Sequence, residues 1–447
     1  VTGVPWPRRG YAWYVVIILT VAYAFAILDR VAIGLLVQPI EADLKISDSE
    51  LGLLQGFAFG IFYSLFGLPI GFLLDRIHRT KLLAMGIVLW SIATMTGGFA
   101  RSFGMLFLSR VGVGVGEATV SPGASSIIAD YFPLDARPKA YGVFMIGATL
   151  GSGMAFILGG VAIDAAEWLR MAKPEWFGEI ADWKIVFFLI GAPGLLVAAI
   201  LTLTVREPVR RERLNSKSLL SLYPVYRILK ANARAYVGLM GGAVLNLTCT
   251  YSLLAWFPTL FIRIHGWTAQ EIGGAMGTIG VPIGICSALS SGIAISWLAK
   301  RGRTDAPLLV AAVHSLSLAI LGSATCLVSS PPLALVFYAA MAIPTNWSTA
   351  GVLTGLNQIT PNEFRGQVVA IHTMIVGLVS LGAGSFIVGF LTDHIFGGGK
   401  GVGLSLATVF AVCGTLGFAV LSWGRPAFRV AAERALDWIE VETPQKQ

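Results

Sequence analysis

Apolar stretches long enough to cross the ~30 Å hydrocarbon core of a bilayer, about 20 helical residues each, recur along nearly the whole 447-residue chain. They fall at 11–40, 48–74, 81–101, 103–131, 138–164, 184–205, 235–262, 270–299, 306–328, 333–359, 367–393 and 402–424, twelve spans in all. Inside lipid no water satisfies the backbone, so each span is expected to be α-helical. With 55% hydrophobic and only 13% charged residues, a soluble globule of this length would lack the polar surface it needs. The first span is long and has no small-residue cleavage site after it, so it is expected to be kept rather than removed as a signal peptide.

The net charge of +8 does not mark a nucleic-acid binder, because the basic residues sit in short loops between spans and form no continuous basic domain. With the N-terminus placed inside, most of the 32 Lys and Arg fall on the cytoplasmic side, among them Arg8, Arg9, Arg76, Arg79, Lys81, Arg137 and the run from Arg206 to Arg234. That bias orients the chain with both termini cytoplasmic. The longest polar interruption, 206–234, divides the spans six and six, giving an N-terminal half (1–205), a linker (206–234), a C-terminal half (235–424) and an amphipathic tail (425–447). The loop 165–183 and the segment 425–440 mix aromatics with charge as interfacial helices do. Cys249, Cys286, Cys326 and Cys413 lie within apolar spans without metal-ligand spacing, so neither a disulfide, a metal nor a cofactor is expected.

The two halves repeat. The end of span 2 from Gly71 aligns with the end of span 8 from Gly292 at an offset of 221 residues. Pro133 and Arg137 align with Pro361 and Arg365 at 228, and Met145, Gly153, Gly160 and Asp164 align with Met374, Gly382, Gly389 and Asp393 at 229. Three matches in one order imply homologous six-helix halves, a construction that places a binding site between repeats in many secondary transporters.

Charges within spans are costly, roughly 2.5–3.5 kcal/mol each on insertion scales, and so mark function by default. Here they are Asp29 and Arg30 in span 1 and Arg110 and Glu117 in span 4. Arg110 and Glu117, seven residues apart, share a helix face, and Asp29 lies at a comparable depth. A carboxylate beside a guanidinium keeps its charge, whereas a buried one without a partner takes a proton; movement of Arg110 between carboxylates or onto an anionic substrate would therefore switch protonation. A permanent buried salt bridge fixing helix packing is the alternative. The repeat pairs Asp29 with Thr250, Arg110 with Tyr338 and Glu117 with Thr345, so the second half is neutral there. Ion coupling is thus expected in the first half. Substrate contacts are expected from Arg110 and Arg30 together with Asn246, Tyr251, Trp256, Asn346, Trp347 and His372, although polar residues in helical bundles often serve interhelical hydrogen bonds instead. Gly112, Gly114 and Gly116 in span 4, and Gly147, Gly151, Gly153, Gly159 and Gly160 in span 5, allow close helix approach.

These residues resemble the major facilitator superfamily. Gly71-x3-Asp75-Arg76-x2-Arg79 is similar to its loop signature between helices 2 and 3, with His78 where glycine is usual, and Arg110-x3-Gly114-x-Gly116 resembles its helix 4 signature. Within the superfamily, Asp29-Arg30, the run from Arg110 to Glu117 and the segment Ile127 to Pro133 resemble the spinster-like transporters. No loop carries an Asn-x-Ser/Thr site, which points to a bacterial member in the inner membrane. The resemblance implies lipid-like substrates and proton-linked transport centred on Asp29, Arg110 and Glu117. It also implies a cytoplasmic gate in which Asp75 caps a helix start and Arg76 or Arg79 pairs with Asp130, with Arg137 nearby. The expected function is proton-coupled transport of an amphipathic organic anion by a monomer, with protons and membrane lipids as its other partners. A multidrug or organic-acid transporter on the same fold is the runner-up. A lipid-modifying enzyme or a lipid receptor is disfavoured, because the five histidines are dispersed.

Overall fold

The computed structural model describes residues 6–440 apart from 75, 134–135, 211–222 and 362–363, with no side-chain description at 68, 138, 223–224 and 436–440. The fold is all-helical, 88% helix with no strand among the described residues. In chain order the α-helices are α1 (Arg9–Ala32), α2 (Val37–Leu44), α3 (Asp48–Gln55), α4 (Phe57–Leu74), α5 (Arg79–Gly97), α6 (Phe103–Glu117) and α7 (Val120–Tyr131). They continue as α8 (Arg137–Ala172), α9 (Pro174–Phe177), α10 (Asp182–Thr204), α11 (Tyr223–Ala231), α12 (Ala233–His265) and α13 (Ala269–Lys300). The last seven are α14 (Ala306–Ser317), α15 (Ser323–Leu327), α16 (Pro331–Ala342), α17 (Thr345–Ile359), α18 (Arg365–Ile375), α19 (Gly382–His394) and α20 (Val402–Glu440).

Among the described residues eleven stretches are individually long and apolar enough to cross a membrane. The twelfth place belongs to α16 and α17, which the sequence reads as one span, 333–359. Proline explains the break, as it does two others. A proline has no amide to give the carbonyl four residues back, so Pro344 interrupts 333–359, Pro122 separates α6 from α7, and Pro39 follows the point where α1 gives way to a 3-10 turn. Two further departures lengthen helices. α8 runs on to Ala172 through part of the expected surface loop, and α20 carries span 12 unbroken through Pro426 into the 425–440 segment. Short π-helical turns at Leu318–Gly322 and Val376–Leu381 join α14 to α15 and α18 to α19.

The repeat read from the sequence reappears in hydrogen bonds. Ser47 and Glu50 form a capping box at the start of α3, the Ser47 amide donating to Glu50 at 2.8 Å and the Glu50 amide to Ser47 Oγ at 3.2 Å. Thr268 and Glu271, 221 residues later, do the same for α13, at 2.8 and 3.2 Å. Arg137 Nε donates to the carbonyl of Phe132 at 2.9 Å, and Arg365 Nε to that of Thr360 at 3.1 Å, the same five-residue hook at an offset of 228.

The chain forms two compact units: Val1–Asn215 with Leu254–Val281 and Ser385–Val402, and Ser216–Leu253 with Pro282–Gly384 and Gly403–Gln447. In the first, α1 packs most extensively on α8, and α5 on α6 and α10; in the second, α14 packs on α17. Burial is inverted relative to a water-soluble protein. Leu108 and Ile293 are 69% and 70% exposed while Asp29 and Glu117 are 4% and 1% exposed, the distribution expected when the outer solvent is lipid.

Candidate functional site

The four charges within the spans meet in the first unit as two crossed ion pairs between α1 and α6. Arg110 donates from Nη1 and Nη2 to Asp29 Oδ1 at 3.3 and 3.2 Å, and the hydroxyl of Thr94 on α5 donates to Asp29 Oδ2. Arg30 Nη2 donates to Glu117 Oε2 at 2.7 Å. Consecutive residues on a helix point about 100° apart, so Asp29 and Arg30 reach different partners. Arg110 and Glu117 stand two turns apart on one face of α6, about 10 Å along its axis. Sequence reasoning grouped Arg110 with Glu117 and left Arg30 to the substrate; in the structure Arg30 is the partner of Glu117.

Glycine brings the three helices close enough for this. A methyl group on Gly114 would lie 2.6 Å from the carbonyl oxygen of Phe59 on α4, and one on Gly116 would lie 2.7 Å from backbone atoms of Gly86 and Trp90 on α5. Aromatic rings complete the lining. The Arg30 guanidinium stands 4.3 Å from the ring centre of Phe59 and 5.1 Å from that of Tyr63, within cation–π range. The two arginines differ in access: the Arg30 side chain is 15% exposed and that of Arg110 is 4%. Glu117 Oε1 is buried and has no hydrogen-bond partner among the described residues.

At one end of this unit Arg79 is a hub. It pairs with Asp130, donates from Nε to Glu207 Oε1 at 2.8 Å, and reaches the carbonyl of Pro208 at 3.0 Å and of Ser126 at 3.2 Å. Partial burial would push the Glu207 carboxyl up, but the Thr80 amide and Arg79 hold it below the usual carboxylate range. Of the other expected gate residues, Arg76 is exposed, Arg137 makes the hook to Phe132, and Asp75 lies outside the described residues. Glu207, the second acid of the hub, was not singled out by sequence, since its partner is 128 residues away.

At the other end a clasp gathers residues from distant parts of the sequence. Arg263 on α12 reaches Glu41 at 2.6 Å and grips both oxygens of Asp48 at 2.8 Å. Asp393 accepts from the amide and hydroxyl of Ser49 at 2.7 and 2.6 Å, and its repeat equivalent Asp164 accepts from Gln270 at 2.9 Å. Ser49 and Gln270 are themselves equivalent at the offset of 221, so the two repeats exchange matching contacts. The sequence marks Asp164 and Asp393 as a repeat match, but nothing local identifies their partners or those of Arg263.

The candidates from the second half are dispersed. Asn246 is fully buried and uses its amide within the second unit, donating to the Ala311 carbonyl at 3.2 Å and Ser348 Oγ at 3.0 Å and accepting from Ser315 Oγ at 2.7 Å. Asn346 Nδ2 donates to the Gly284 carbonyl at 3.3 Å and Trp347 Nε1 to Ser290 Oγ at 2.8 Å, both on α13. His372 is buried on α18 with Nδ1 unpartnered among the described residues. Trp256, in the first unit, donates to the Ser385 carbonyl at 2.8 Å, and Tyr251 is half-buried.

A buried arginine–carboxylate constellation inside an apolar helical bundle with an internal six-helix repeat is transporter architecture. The sequence model of the Major Facilitator Superfamily matches residues 19–325. The chain belongs to the major facilitator superfamily. Among major facilitator proteins it is 26% identical over 422 residues to an MFS-type efflux pump of Mycolicibacterium smegmatis, covering 93% of this chain and 92% of that protein. It is 26% identical over 397 residues to protein spinster of Drosophila melanogaster, covering 86% of this chain and 62% of the fly protein. A crystal structure of a bacterial homolog to the human lysosomal transporter Spinster, in an inward-facing and unoccupied conformation, superimposes with a TM-score of 0.78 at 26% identity, covering 96% of this chain and 99% of that one. The chain is therefore a multi-pass membrane transporter of the major facilitator fold, similar to the spinster proteins, and not an enzyme.

Proposed function

We propose that this transporter couples proton movement to the passage of an amphipathic or lipid-like organic anion by alternating access, as a monomer in a bacterial inner membrane with both termini cytoplasmic. The observation that carries the reading is the crossed pairing of Asp29–Arg110 and Arg30–Glu117. Breaking one member of a buried pair leaves an uncompensated charge, which costs about 3–5 kcal/mol. The anion's acidic group offers Arg30 an alternative partner, and Arg30 is the more accessible guanidinium. Glu117, one oxygen of which has no partner among the described residues, then takes a proton, because a buried carboxylate without its counterion favours the neutral form. Phe59 and Tyr63 beside Arg30 offer apolar surface to the body of the substrate, while Arg110 and Thr94 hold Asp29. Opening and closing falls to the two ends: the Arg79 hub, and the clasp of Arg263 with Glu41 and Asp48. A multidrug or small organic-acid transporter on the same fold is the second reading, and the similarity to an efflux pump supports export as its direction.

The test is Glu117→Gln in proteoliposomes carrying a lumenal pH dye, with lysophospholipids and short aldaric acids as parallel substrates. We expect the lysolipid to be carried, substrate binding to survive the substitution, and the pH dependence of transport to flatten. Undiminished proton flux per substrate in the variant would remove Glu117 from the coupling. Transport of the short acids alone would favour the second reading.

A further inference from the structure

Where α5 begins and α10 stops, the first unit carries a cavity of about 990 Å³ that is open to the surface. It lies roughly 30 Å along α1 from the crossed ion pairs, counting 1.5 Å per residue from Arg8 to Arg30. Its wall is fixed by tyrosine. Tyr11 donates to the Thr204 carbonyl at 2.7 Å and accepts from the Arg206 amide at 2.8 Å, and Tyr131 donates to the Arg206 carbonyl at 2.6 Å. The strand of chain leaving α10 is thus strapped down.

Among the described residues three Lys and Arg side chains line this cavity: Arg8, Lys81 and Arg206. All are exposed, and none has an acidic partner among the described residues. Glu207 is the only acid in the lining among the described residues, and both its oxygens are occupied, Oε1 by Arg79 at 2.8 Å and Oε2 by the Thr80 amide and hydroxyl at 3.0 and 3.1 Å. Apolar surface adjoins the charge: Leu203 and Val209, 84% and 49% exposed, also line the cavity. The membrane-crossing stretches Arg79–Gly97 and Asp182–Thr204 have their ends here, which sets the cavity at headgroup level.

We propose that the cavity binds the phosphate of an anionic phospholipid. Basic pockets between transmembrane helices take such headgroups, and the exposed leucine and valine give the lipid's apolar portion a surface that a soluble phosphate has no use for. A zwitterionic lipid brings no net charge to three unpaired cations and is held less well. The lipid is a resident of this site and distinct from whatever passes through the centre of the bundle.

The test is native mass spectrometry of the detergent-solubilised full chain titrated with phosphatidylglycerol, phosphatidylethanolamine or inorganic phosphate. One phosphatidylglycerol is expected to be retained saturably, in preference to phosphatidylethanolamine, with no competition from millimolar phosphate. Each of Arg8→Gln, Lys81→Gln and Arg206→Gln should weaken retention about fivefold, and the triple variant on the order of a hundredfold. A photoactivatable phosphatidylglycerol on the unsubstituted protein should label peptides containing residues 77–81 and 203–209, a result that does not depend on any variant folding. Displacement by inorganic phosphate would overturn the lipid assignment in favour of a soluble phosphate ligand. Labelling elsewhere, equal retention of both lipids or unchanged retention by the triple variant would overturn the site itself.

Discussion

Within its helices each unit buries a polar cluster, and the two are built on different chemistry. In the first, Asp29, Arg30, Arg110 and Glu117 pair as ions with Thr94 in support, and one oxygen of Glu117 has no partner among the described residues. In the second, Asn246 ties together Ala311, Ser315 and Ser348 through neutral hydrogen bonds. A neutral network of this kind fixes the packing of α12 against α14 and α17 and has no titrating proton to give up. Paired ions hold helices equally well, but each can be exchanged for another ion or for a proton. The difference teaches that depth of burial does not separate scaffold from machinery, whereas the freedom to change partner does.

The largest effect should come from breaking the ionic cluster. Arg110→Ala strands Asp29 and is expected to cost about 3–5 kcal/mol of stability, read from thermal unfolding in detergent, and to abolish coupled transport. The double variant Asp29→Asn with Arg110→Gln removes both charges and should regain most of the stability without regaining coupling. A double variant that still moved protons with substrate would reduce the pair to packing.

A smaller loss is expected in the neutral cluster. Asn246→Ala removes the bonds to Ser348 Oγ and Ser315 Oγ and leaves the Ala311 carbonyl only the Ser315 hydroxyl at 3.1 Å, at about 1–3 kcal/mol. The proton-to-substrate ratio of whatever transport remains should match that of the unsubstituted protein. A changed ratio would mean that the neutral cluster shares in coupling, and the contrast between the units would fail.

The smallest effect tests charge pairs at the helix ends. Arg79 binds Glu207 just beyond α10 in the first unit, whereas in the second Asp305 binds Arg425 and Arg429 on α20 at 2.8 and 2.9 Å, the signs reversed. Burial would raise the Asp305 carboxyl, but hydrogen bonds from Arg429, Arg425 and Arg303 hold it at about 2. Its folded value is below the unfolded value of about 3.9, so the clasp contributes fully above about pH 4 and is lost as pH falls towards 2. Asp305→Asn should therefore cost about 1 kcal/mol at pH 6, given the exposure of the arginines. The difference in melting temperature from the unsubstituted protein should shrink sharply by pH 2 and vanish below it. A difference that persists there would assign Asp305 a role other than charge.

Sequence alone determined the features that a lipid solvent imposes. Twelve helical spans, their six-and-six repeat and the rarity of charge inside them are legible because each span must satisfy its own backbone and each buried charge is costly. Asp29, Arg30, Arg110 and Glu117 stand out for the same reason, and so does the hub arginine, Arg79, through its motif. Which carboxylate binds which guanidinium was decided by tertiary structure, because the direction in which neighbouring side chains such as Asp29 and Arg30 reach depends on how α1 meets α6. Only the fold brings Arg263 to Asp48 and Glu207 to Arg79, pairs 215 and 128 residues apart. Burial and periodicity are local properties that a sequence carries in every window, whereas the partner of a charge is a fact about two distant segments and exists only once they have packed.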